Sequence, residues 1–86
     1  MRIVKGKKFE KQYQKLSLKI QKQFAERLRL LIEDKNHPLL HSHSLTGEYE
    51  GLNSFNVSAD IRAIYDDSYT DAIILMYIGS HSELYS

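Results

Sequence analysis

Cysteine is absent from the 86 residues, so neither a disulfide framework nor a thiolate zinc site can hold the chain together. One hydrophobic core has to do so unaided. Proline occurs once, and no long stretch is polar enough to read as a disordered tail. Long apolar runs are missing too. Residues 1–10 carry Arg2, Lys5, Lys7 and Lys8 with no apolar segment behind them, and nothing approaches the length of a membrane span. The expectation is a soluble, cytoplasmic protein with no membrane partner. A P-loop, a dinucleotide-binding glycine pattern, a nucleophile elbow, a metalloprotease motif and an internal repeat are all lacking, which sets those enzyme classes aside.

What is present suits one globular domain over residues 1–86, with 42% hydrophobic residues. The formal charge of +1 conceals an asymmetry, because every lysine and arginine except Arg62 lies before residue 36. A basic half can contact phosphate backbones, although a solvated helix face gives the same pattern.

Arg2, Ile3 and Val4 form a β-branched run suited to an edge or starting strand. Phe9, Tyr13, Leu16 and Ile20 then recur at helical spacing, and Phe24, Leu28, Leu31 and Ile32 continue the stripe. Ser17 can cap a second helix, so the spacing predicts two helices, roughly 7–16 and 18–34, folded as a hairpin. Asn36-His37-Pro38 ends the second. Residues 39–51 show no sustained period and read as an irregular loop, a common place for chemistry. Three strands follow, at 52–57, 61–66 and 72–78, separated by turns at 58–60 and 67–71. The last is apolar on both faces, as expected of a covered central strand. The predicted fold is α+β, in the order β-α-α-β-β-β, with an antiparallel three-strand meander.

The side chains suited to acid–base work sit at the margins of that sheet: His43 before it, Asp60 and Arg62 at its second strand, His81 and Tyr85 just past its last. Neighbouring strand ends share an edge in a meander, so Asp60, Arg62 and His81 are expected to meet. RNA can be cut by its own ribose, whose 2′-hydroxyl attacks the adjacent phosphorus. The protein then supplies a base, an acid and a cation. Histidine suits the first two tasks and arginine the third. Each residue also has a plainer reading. Loop histidines are mostly solvated, which is how His37 and His41 read; Asp60 can cap a turn, Arg62 can lie along the sheet, and Tyr85 can pack back on the domain. With no H-x-x-x-H spacing and no cysteine, no metal site and no cofactor are expected.

Taken together, the bend at Lys15-Leu16-Ser17, the segment His43-Ser44-Leu45-Thr46-Gly47-Glu48-Tyr49-Glu50-Gly51, the strand Asp60-Ile61-Arg62-Ala63-Ile64-Tyr65 and the ending Ile78-Gly79-Ser80-His81-Ser82-Glu83-Leu84-Tyr85 resemble the RelE/ParE superfamily of bacterial toxins. The likeness is greatest to its YafQ branch and covers nearly the whole chain. It implies the toxin of a type II toxin–antitoxin pair, a metal-independent endoribonuclease that cuts messenger RNA on the ribosome. By the same resemblance His81 is the leading acid or base, His43 and Asp60 complete the acid–base set, and Tyr85 orients the RNA or a neighbouring side chain. Arg62 is similar to an arginine of the RelE branch that binds phosphate. Asn56 stands where YafQ carries a further histidine; it cannot transfer protons near neutral pH but can hydrogen-bond to RNA. The implied partners are a cognate antitoxin, the ribosome and mRNA. The rival readings on the same fold are a ParE-like inhibitor of DNA gyrase and a catalytically silent binding module, neither of which needs a histidine at position 81.

Overall fold

The computed structural model describes residues 1–85. Its elements are β1 (Arg2–Lys5), α1 (Lys7–Gln14), α2 (Leu18–Glu33), β2 (His43–Ser44), β3 (Asn53–Asn56), β4 (Ile61–Tyr69), β5 (Ala72–Ser80) and α3 (His81–Tyr85), with 3-10 turns at Pro38–Leu40 and Gly47–Tyr49. The five strands form one sheet in the order β1-β5-β4-β3-β2. β3, β4 and β5 make the expected antiparallel meander, and β1 pairs with β5 in parallel, Arg2 opposite Ala72 and Lys5 opposite Leu75.

The helical hairpin closes where the sequence predicts. Ser17 is the N-cap of α2, its hydroxyl accepting from the Ile20 amide at 3.2 Å. The Gln21 side chain donates to the Tyr13 and Leu16 carbonyls at 3.2 and 3.3 Å, satisfying groups that the end of α1 leaves without helical partners. Gly6 joins β1 to α1 where a side chain has no room: a Cβ there would stand 3.0 Å from the Leu75 carbonyl oxygen. Further along β5, where β1 has ended, the Gln12 side chain accepts from the Ile78 amide at 2.9 Å.

The helices cover one face of the sheet. Phe9, Phe24 and Leu31 meet Phe55, Tyr65 and Leu75 in a single core, linked by ring contacts from Phe9 to Phe24 at 5.3 Å, Phe24 to Phe55 at 6.0 Å and Phe55 to Tyr65 at 5.8 Å. Strand alternation sends the neighbours of these residues to the second face. A β-bulge adjusts that alternation. Ile64 lies opposite Tyr77 and Tyr65 opposite Leu75, so Met76 is an extra residue on β5. The insertion lets Leu75 and Ile78 both reach the core and turns Tyr77 and Gly79 to the second face.

The structure departs from the sequence reading in three places. The stretch 39–51 is not wholly irregular, since it holds β2 and two 3-10 turns. β4 continues to Tyr69, leaving Thr70 and Asp71 as a tight turn in place of a five-residue loop. The residues after β5, to which the sequence reading gives no element, form a short helix. No helix among the described residues is long and apolar enough to cross a membrane.

Candidate active site

The second face of the sheet carries the polar residues. Phe55 and Ala63 point into the core, so Ser54, Asn56 and Arg62 project the other way, with Asn56 opposite Arg62 and Arg62 opposite Gly79. β2 adds His43 to this face as the cross-strand partner of Ser54. The loop before it is anchored from beneath: Leu40 is fully buried, and the Arg27 guanidinium donates to the Leu39 and Asn56 carbonyls. His41 then takes a left-handed conformation, φ 46° and ψ 44°, uncommon for a residue other than glycine. It directs its carbonyl at His43 Nδ1, 3.0 Å away.

The other wall is built by α3, which folds back over the end of β5. Gly79 makes that possible, because a Cβ there would sit 3.1 Å from Glu83 Oε1 and 3.7 Å from the Leu84 side chain. Ser80 and Glu83 form a reciprocal capping box: the Glu83 carboxylate accepts from the Ser80 amide at 2.8 Å, and the Ser80 hydroxyl accepts from the Glu83 amide at 3.1 Å. Hydrogen bonding from the Ser80 amide, and after it from the Ser80 hydroxyl, holds the Glu83 carboxyl below the usual glutamate value. Tyr49, from the second 3-10 turn, donates through its hydroxyl to the Leu84 carbonyl at 2.7 Å. Its ring lies 5.5 Å from Tyr77 and 5.8 Å from Tyr85, and Tyr85 in turn lies 4.7 Å from the His81 ring. Burial, followed by the charge of Glu48, raises the Tyr49 phenol above its ordinary value.

Between these walls is a cleft of about 400 Å³ lined by His41, His43, Leu45, Ser54, Asn56, Arg62, His81 and Tyr85. Grooves of about 350 and 410 Å³ elsewhere on the surface are comparable in size; neither brings two imidazoles and a guanidinium together. Of the residues singled out in the sequence, His43, Asn56, Arg62, His81 and Tyr85 therefore share one cleft. Asp60 does not line it. Its side chain is exposed at the β3–β4 turn, and its carbonyl accepts from the His81 amide at 3.1 Å, so Asp60 meets His81 through the backbone. Sequence reasoning did not include His41 or Ser54. His41 read as a solvated loop residue, and nothing in its neighbourhood announced the left-handed turn. Ser54 lies between Asn53 and Phe55 in a strand with polar residues on both sides of the phenylalanine, so nothing in the sequence marks it as buried.

One terminal nitrogen of Arg62 is occupied, donating to the Ser58, Ala59 and Ile61 carbonyls at 3.0, 3.2 and 3.3 Å. Among the described residues no carboxylate forms an ion pair with it. The rest of the fork remains for an anion, and a phosphate suits its geometry.

Comparison with known structures defines the fold. The chain superposes on a point mutant of YafQ from Escherichia coli with a TM-score of 0.81 at 21% identity, over 100% of both chains. It matches a YoeB/ParE toxin from Agrobacterium tumefaciens at 0.80 and 18%, over 94% of this chain and 99% of the other. The RelBE2 toxin–antitoxin complex from Mycobacterium tuberculosis matches at 0.74 and 15%, over 93% and 96%. At these identities the likeness establishes the fold, which is that of the RelE-superfamily toxins. Family membership comes from the sequence: the model described as the bacterial toxin of a type II toxin–antitoxin system, YafQ, matches residues 1–86, and the chain belongs to that family. No curated protein matches it in a direct sequence search.

Proposed function

We propose that this toxin is a ribosome-dependent endoribonuclease that cleaves messenger RNA without a metal ion. One observation carries the reading: His43 and His81, from opposite ends of the sheet-forming half of the chain, face one cleft together with Arg62. That is the minimum set for transesterification by the RNA's own ribose. One imidazole takes the 2′-hydroxyl proton as its oxygen bonds to phosphorus. The P–O5′ bond breaks, and the other imidazole protonates the departing 5′-oxygen, leaving a 2′,3′-cyclic phosphate. Arg62 stabilises the charge that grows on the phosphoryl oxygens. Asp60 holds His81 through its backbone carbonyl, and its carboxylate, exposed at the β3–β4 turn, takes no part in the two proton transfers. Asn56 and Tyr85 contact the RNA, one by hydrogen bonding and the other by its ring.

The cleft is open, so a flexible message has to be held in line for attack by something other than this chain. The ribosome's decoding site supplies that constraint. A cognate antitoxin, as in the RelBE2 complex, would bind the toxin and mask the cleft. The test is to strip the purified protein of metal with EDTA, remove the chelator, add the protein to an in vitro translation reaction, and map the message by primer extension. Ribosome-dependent cuts that disappear in His81→Ala are expected. Inhibition of DNA gyrase without cuts would replace the proposal with the ParE-like reading.

A further inference from the structure

We propose that Ser54 is a positioning residue for His43, and that Ser54 and the His41 carbonyl together set His43 to accept the proton in the cleavage; the inference rests on the ribonuclease reading above. A carbonyl oxygen can only accept a hydrogen bond, so the 3.0 Å contact between His41 O and His43 Nδ1 requires the proton on Nδ1. A neutral imidazole carries one such proton. The lone pair is therefore on Nε2.

Ser54 Oγ lies 3.4 Å from that Nε2. Ser54 is 1% exposed and is the buried polar residue among those described, between Asn53 and Phe55 on β3. A hydroxyl in such a place needs a partner, and its partner is the His43 ring. The cross-strand register of β2 and β3 fixes the two residues side by side. In the free protein the serine hydroxyl donates to that lone pair; at 3.4 Å the contact is long for a hydroxyl–imidazole bond, so a ribose hydroxyl entering from the cleft takes its place. After proton transfer Nε2 becomes a donor, and the serine hydroxyl, by rotating, becomes its acceptor. One side chain thus serves both protonation states without moving a heavy atom. Alanine serves neither. The assignment leaves His81 to protonate the departing 5′-oxygen.

The test uses the full chain labelled with ¹⁵N-histidine, with the His43 ring signals assigned through His43→Gln. The neutral ring is expected to be protonated on Nδ1; a ring protonated mainly on Nε2, the form free histidine prefers, overturns the proposal. Ser54→Ala is expected to perturb the His43 ring signals and not those of the other histidines. It should also slow single-turnover cleavage on message-programmed ribosomes about tenfold, less than the roughly hundredfold or more that loss of an acid–base group costs. Ser54→Thr, which keeps the hydroxyl on a strand-compatible side chain, should restore both. If Ser54→Ala matches wild type in both measurements, Ser54 is a packing residue and the proposal falls. If wild type shows the expected tautomer but cuts no message, the ribonuclease reading fails, and the catalytic role of Ser54 fails with it.

Discussion

The phenol of Tyr49 donates to the carbonyl of Leu84 across 35 positions of sequence, at 2.7 Å, and so ties the loop before β3 to the helix that carries His81. Tyr49→Phe keeps the ring contacts with Tyr77 and Tyr85 and removes this bond. The expected cost is about 1 kcal/mol of stability, with a larger proportional loss of cleavage because His81 is less firmly placed. Urea denaturation and single-turnover kinetics, measured on the same preparation, separate the two. Because the folded phenol sits above its ordinary value of 10.0, its contribution is complete below that pH. It is lost as pH rises through the folded value.

The capping box makes the site sensitive to acid in the opposite sense. Glu83 is held below its ordinary value of 4.5 by Ser80, so its contribution is present above that pH and is lost as pH falls through the folded value. Glu83→Gln should behave at neutral pH as the wild type does in acid: the amide oxygen still accepts from the Ser80 amide but without charge assistance, so α3 loosens and the His81 ring signals shift, with the main unfolding transition unchanged. A wild-type His81 spectrum in Glu83→Gln would mean that Tyr49 and Gly79 alone place the helix.

Arg62 has two tasks, since one nitrogen braces the β3–β4 turn while the remainder of the fork faces the cleft. Arg62→Lys retains the charge but cannot do both. Cleavage should fall by about tenfold, equivalent to about 1.4 kcal/mol of transition-state stabilisation. Wild-type rates in both Arg62→Lys and Arg62→Ala would move phosphate binding to the lysines of the helical hairpin.

Phe55 is fully buried and touches Phe24 from α2 and Tyr65 from β4, so it joins the helical layer to the sheet. Phe55→Ala should cost about 3–5 kcal/mol, much of the roughly 5–15 kcal/mol available to a domain. Circular dichroism during thermal denaturation should show a large drop in melting temperature. Phe55→Leu should recover most of it.

The helical hairpin and the meander were legible because each rests on a local signal: an apolar stripe at helical spacing, a serine at the bend, short polar turns between apolar runs. β2 was not, because a two-residue strand exists only through its partner, His43 against Ser54 and Ser44 against Asn53. The parallel pairing of β1 with β5 was hidden for the same reason, joining residues about seventy positions apart. α3 was a different case. Ser80 and Glu83 stand three residues apart, the spacing of a capping box, and an apolar Leu84 follows, so its signal was present in the ending and went unread. Five of the six candidate site residues share a cleft, while Asp60 precedes β4 and turns its carboxylate away from the lining. Its expected meeting with His81 takes place through a carbonyl, which no side-chain pattern encodes.

Met76 fixes the phase of everything that follows it. With one extra residue at the bulge, Ile78 faces the helices and Gly79 faces the cleft; removing that residue would exchange them. An isoleucine would then stand where α3 needs an empty place, and a glycine would leave a gap in the core. His81 would emerge from the wrong side of the strand. A single-residue deletion outside the cleft lining is therefore expected to silence the toxin as thoroughly as loss of a histidine, and inactivating in-frame deletions in this strand should accumulate wherever the antitoxin is lost.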